Sequence, residues 1–125
     1  MKRGARDGGQ AAVELALVLP LVAMLLLALV QAGLVIRDQI LVVHAAREAA
    51  REAAVDPAPD TAAKAAAASS TLDSGRLTVD TSGRGQAGSR VRVHVRYRVP
   101  TDVPVVGAAL PDLTLEASAT MRVER

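Results

Sequence analysis

Phenylalanine, tryptophan and cysteine are all missing from this chain of 125 residues, and Tyr97 is its one aromatic side chain. The lack of cysteine removes disulfides, thiolate metal sites and cysteine nucleophiles together. It leaves the compartment open, because a secreted domain can do without disulfides. The lack of large aromatics means that any core must be aliphatic. The hydrophobic half of the composition is rich in alanine, which buries little area per residue. A soluble core built this way is thin and leans on its helix or on neighbouring subunits. A large charge excess is missing too: the net charge is +2, and the surplus of arginine over lysine fits a GC-rich genome better than a nucleic-acid binder. No serine, histidine and acid set stands in a recognisable catalytic context. His44 and His94 are far apart, each on a charged face, and no glycine-rich nucleotide fingerprint occurs. The expectation is a protein that is not an enzyme, with no cofactor, no metal and no small-molecule substrate.

What is present in quantity is one uncharged apolar stretch, Leu15 to Ile36. As a helix its roughly 22 residues reach about 33 Å, enough for a hydrocarbon core about 30 Å thick. Lys2, Arg3 and Arg6 precede it within a glycine-bearing leader, Met1 to Gly9, where an ordered element is not expected. Basic residues directly before a long apolar run place the N-terminus in the cytoplasm and the remainder outside. A conventional secretory signal also starts this way, but its apolar region is shorter. Val30-Gln31-Ala32 makes a poor cleavage site, and the helical pattern runs through it.

Glu14 stands at the edge of this span. It is either a carboxylate snorkelling into headgroups or the neutraliser of a specific positive charge in an assembly. Pro20 removes one helical hydrogen bond and tends to kink the rod, which membrane helices tolerate. From Arg37 to Ala54 the helix turns amphipathic. Val42, Val43, Ala46, Ala49, Ala50, Ala53 and Ala54 fall on one side, and Arg37, His44, Arg47, Glu48, Arg51 and Glu52 on the other. The small-residue face suits close approach, either of the chain's own sheet or of neighbouring helices. His44 reads as solvated.

The prolines of Asp56 to Asp60 end the helix. A short alanine-rich helix is expected over Thr61 to Leu72, capped by Asp60 or Thr61, with a turn at Asp73 to Gly75. Leu77 and Val79 mark a short strand. Gly83 to Gly88 is a loop that lacks the lysine and following helix of a phosphate-binding loop. Val91, Val93, Val95, Tyr97 and Val99 alternate with Arg90, Arg92, His94, Arg96 and Arg98, a strand ended by Pro100 and Pro104. Val106 to Asp112 is an apolar connection. A last strand follows, with Leu113, Leu115, Ala117, Ala119, Met121 and Val123 on its apolar face. The arginine row suggests phosphate-bearing partners, but base-stacking aromatics are missing. A solvated face partly paired with Glu116 and Glu124 accounts for it, with subunit contacts as the other option, and no nucleic acid is expected.

Gly9-Gln10-Ala11-Ala12-Val13-Glu14 resembles the processing site of type IV prepilins. Together with ALVLPL and the later AAREAAREAA (Ala45 to Ala54), it resembles the TadE-like proteins of the tight-adherence (Tad) pilus system. The resemblance covers about residues 9 to 54. Leu15 stands where that family usually has phenylalanine, and aromatics are missing around Val35 to Gln39. The resemblance implies cleavage by a prepilin peptidase after Gly9, a new amine on Gln10, and a register role for Glu14 through that amine on a neighbouring subunit.

The expected fold is α+β: a long N-terminal helix, its hydrophobic first half spanning the membrane, packed on a small antiparallel sheet of about three strands. Four segments follow: a basic cytoplasmic leader (1–9), the transmembrane half of the helix (10–36), its amphipathic extension (37–55) and a small extracytoplasmic domain (56–125). The expected function is that of a minor pilin or pseudopilin of TadE-like type. Its partners would be the peptidase, other pilin and Tad assembly subunits, and membrane lipid. It would be single-pass in the cytoplasmic membrane, or in the extracellular pilus. The alternatives are an uncleaved single-pass anchor carrying an interaction domain, and a secreted protein cut near Ala32.

Overall fold

The computed structural model describes residues 4–101 and 103–124, with residues 4–7 and 106 described by their backbone alone. Lys2 and Arg3 of the basic leader lie outside the described residues. One helix, α1 (Gly4–Val55, 52 residues), dominates the chain. At about 1.5 Å per residue it is roughly 78 Å long. It begins earlier than the glycines of the leader led us to expect. Adding a turn to an existing helix costs far less than nucleating one, so a long stable helix carries Gly8 and Gly9 with it.

α1 ends where the prolines forbid it. Asp56 takes the chain out of the helix, its Oδ1 accepting from the Ala58 N–H at 2.9 Å. α2 (Thr61–Ala68) is shorter than expected. The Ser69 and Ser70 hydroxyls both donate to the Ala66 carbonyl, at 3.1 and 3.2 Å, and such serine bonds compete with helical continuation. The expected cap is not made. Asp60 holds a helical backbone, φ −92° and ψ −13°, with no side-chain cap bond, whereas capping calls for an extended residue there. The Thr61 hydroxyl donates backwards to the Ala58 carbonyl at 2.8 Å. The Asp73 turn forms as expected, its Oδ1 accepting from Gly75 N–H at 2.9 Å in front of a 3-10 turn, Ser74–Arg76.

Three strands follow: β1 (Leu77–Ser82), β2 (Arg90–Arg98) and β3 (Thr114–Arg122). They form an antiparallel meander in the order β1-β2-β3. Leu77 opposes Tyr97, and Arg98 opposes Thr114. Period two places Val91, Val93, Val95 and Tyr97 on one face, all buried. That face packs on α1, whose Val42, Ala45, Ala46, Ala49, Ala50, Ala53 and Ala54 are buried in the same cluster. Ala45 joins the face read from the sequence. Ala62 and Ala66 of α2 close the core from a second side. Alanine on both helices lets backbones approach where larger side chains would hold them apart.

Two contacts fix how the sheet lies along the helix. Gln39 Nε2 donates to the Glu116 carbonyl at 3.2 Å, and the Glu124 N–H donates to the Ala54 carbonyl at 3.1 Å. β3 therefore runs in the same direction as α1. The β1–β2 loop and Glu124 lie beside the C-terminal end of α1. The β2–β3 connection lies at the other end of the sheet, toward the apolar half. That connection contains a single helical turn, α3 (Val106–Ala109), where the sequence suggested only an apolar link. α3 packs on α1.

Candidate functional site: the uncovered half of α1

The head, the chain beyond α1, buries that helix from Gln31 onward, and Leu27 one turn below is half-buried. Toward the N-terminus the chain leaves large apolar side chains bare: Leu17 is 72% exposed and Leu29 61%, with Val13, Leu21, Leu25 and Leu26 among the rest. Soluble monomers rarely expose contiguous apolar patches beyond a few hundred Å². This helix, bare along its apolar half, is long and apolar enough to cross a membrane. A second, thinner exposed stripe continues upward through Ile36 and Ile40.

The residues singled out in the sequence all sit on this bare stretch. Gly9 and Gln10 are exposed and helical. Nothing lies within 4 Å of the place where a Gly9 side chain would be. Glu14 is exposed one turn above Gln10. The i,i+4 spacing puts the two on one side of the helix, about 6 Å apart along the axis. Pro20 lies within the unbroken helix and leaves the Ala16 carbonyl without its usual backbone donor. The structure thus gathers Gln10 and Glu14 and keeps Pro20 apart from them. Among the described residues no cluster of histidines and carboxylates suits a metal ion.

Three features escaped the sequence reading. Gln31, the one polar residue between Glu14 and Arg37, is 4% exposed, and its Oε1 has no hydrogen-bond partner among the described residues. Its isolation in an apolar run was the available signal. Arg84, from the β1–β2 loop, donates to the carbonyls of Ala53 and Asp56. It supplies the positive charge that the last turn of α1 lacks. The glycines at either end of that loop, Gly83 (φ 75°) and Gly88 (φ 88°), take the left-handed backbone needed to bring it there. Val105 is the third, a β-branched residue at φ 68°.

The arginine row is the solvated outer face of the sheet, with Glu116 among its partners as expected and Asp80 as one the sequence did not suggest. Asp80 of β1 pairs with Arg96 at 2.5 Å. This hydrogen bond and the charge behind it raise the Arg96 pKa above its usual value, with a smaller contribution from Glu116. Glu116 stands opposite Arg96 in the register and reaches His94 at 3.5 Å. Arg92 donates to the Thr120 hydroxyl at 3.4 Å.

The architecture so defined is α+β: a long apolar-to-amphipathic helix backing a three-stranded antiparallel meander. Residues 9–51 match the model of the family described as TadE-like protein, which bears out the resemblance read from the sequence. The match ends inside α1 and takes in none of the sheet. Neither the curated proteins nor the solved structures contain a match to the chain.

Proposed function

We propose that the protein is a TadE-like minor pilin or pseudopilin, a structural, non-enzymatic component of a Tad-type pilus. It is cut by a prepilin peptidase between Gly9 and Gln10. The observation that carries this reading is the family match over residues 9–51, which starts at that bond and follows the bare apolar helix. Before assembly the apolar half sits in the cytoplasmic membrane, with the N-terminus inside and the sheet outside. In the filament the same surface packs against other subunits. Lipid, the peptidase and other Tad subunits are its partners.

Cleavage would put a positive amine on Gln10. In the chain's own helix Glu14 lies one turn away, and the negative charge suits a helix N-terminus. In a filament the amine pairs with Glu14 of a neighbouring subunit. In an apolar surrounding, a shifted register leaves one charge unpaired, a cost of about 3–5 kcal/mol. That cost selects the correct axial position. Pro20 bends the helix within the packed region. The test is Glu14→Gln in cells that assemble the pilus. Incorporation into filaments falls while cleavage at Gly9 continues, and undiminished incorporation refutes the register role.

One observation favours the uncleaved-anchor alternative: the Gly9–Gln10 bond lies inside α1, so a peptidase must first unwind that turn. Gly8 and Gly9 weaken the helix there by roughly 1 kcal/mol each relative to alanine, and the bond lies in the second turn from the helix start at Gly4. The opening required is correspondingly small.

A further inference from the structure

The β2–β3 connection stands at the end of the head that faces the apolar half of α1. It leaves β2 after the last register pair, Arg98 with Thr114, and the Val99 N–H still donates to the Leu113 carbonyl at 2.9 Å. Between them Val103 to Pro111 is a run without charge. Three of its apolar side chains or their neighbours face outward: Val105 is 63% exposed, Leu110 48% and Leu113 42%. Val105 holds a left-handed backbone that a β-branched residue rarely adopts. Strain of this kind persists where the surrounding structure enforces it and clusters at functional positions. Gly107 admits the tight fold of α3, because a side chain there would overlap the Thr101 carbonyl.

The charges on α1 set the height of this loop. Glu14 and Arg37 bracket the uncharged stretch, so its midpoint, near Leu25 and Leu26, sits at the bilayer midplane. The hydrocarbon then ends about ten residues further up, near Val35, for a core about 30 Å thick. The head, however, already meets α1 at Gln31, which it buries to 4% exposure. Sliding the helix outward to free the loop would drag Glu14 toward the membrane centre, which is costly.

We infer that the β2–β3 connection is a second membrane contact, with Val105, Leu110 and Leu113 seated in the lipid at the outer interface of the bilayer. It holds the head against the membrane at a fixed height and rotation until the subunit is extracted. This rests on the membrane-spanning reading of α1, and the test separates the two.

The chain has no cysteine, so single labels are clean. A fluorophore on Leu110→Cys, Leu25→Cys or Ala87→Cys is placed on the full chain in phosphatidylcholine–phosphatidylglycerol vesicles carrying nitroxide lipids. Leu25 reports the span, and Ala87 the far loop of the head. The expected result is quenching of the Leu110 label by nitroxides near the headgroups at least twofold more strongly than the Ala87 label, with the Leu25 label quenched by mid-chain nitroxides. Leu113→Cys repeats the measurement should Leu110→Cys fold poorly. A Leu110 label quenched only by aqueous iodide, with Leu25 still in the bilayer, overturns the loop contact and leaves the span standing. A Leu110 label shielded from both quenchers overturns it in favour of a protein contact. A Leu25 label open to water overturns span and loop together.

Discussion

Ala49 lies at 0% exposure on the face of α1 that meets the sheet and α2. Ala49→Leu sets two effects of opposite sign against each other. Burying three further carbons gains about 2 kcal/mol if the site has room, at about 0.8 kcal/mol for each. If the backbones are as close as the alanine lining requires, the added volume displaces them at a cost of about 1–3 kcal/mol net. Ala45, Ala46, Ala50, Ala62 and Ala66 are all at or near zero exposure around it, so we expect the second outcome. For a head of this size, a loss of about 2 kcal/mol lowers the melting temperature by roughly 8–16 °C. The assay is thermal unfolding of the full chain in detergent micelles, followed by far-ultraviolet circular dichroism. Arg51→Ala on the exposed face serves as control and stays within about 0.5 kcal/mol. A rise in melting temperature for Ala49→Leu, or a shift no larger than the control, refutes close helix–sheet packing as the basis of this core.

Two further substitutions test the ends of the head. Arg84→Ala removes the donor to the Ala53 and Asp56 carbonyls and should cost about 1.5–3 kcal/mol, read as a lower melting temperature and faster amide exchange in the last turn of α1. Gln31→Leu replaces a buried amide whose Oε1 has no partner among the described residues. It should stabilise the chain by about 1 kcal/mol, read in the same melts.

The elements that could be read from the sequence are those whose reason is local. The alternation of valine and arginine through β2 defined a strand with one buried face, and the small-residue face of α1 from Val42 to Ala54 matched the buried set except that Ala45 belongs to it and Val43, only half-buried, does not. The prolines after Val55 and the Asp73–Gly75 turn act through backbone geometry within a few residues, and both were legible. Features that depend on distant parts of the chain were not. Arg84 reads as one residue of a glycine-rich loop until the fold brings that loop to the end of α1. Asp80 becomes the partner of Arg96 only through the β1–β2 register. Asp60 has the right identity for a cap and the wrong backbone, because Thr61 bonds to Ala58 instead. For the candidate site, Gly9, Gln10, Glu14 and Pro20 were all named from the sequence, since the resemblance to a prepilin processing site lies in contiguous residues. The contact between the head and α1 at Gln31, and the apolar loop beside it, needed the axial placement of β3.

We propose that this helix enters a pilus as a processed subunit. Intact mass and N-terminal sequencing of the protein from its native membrane, in cells with an active prepilin peptidase, test it most directly. The expected product is a chain beginning at Gln10. A chain that still begins at Met1 contradicts it and leaves a permanent single-pass anchor.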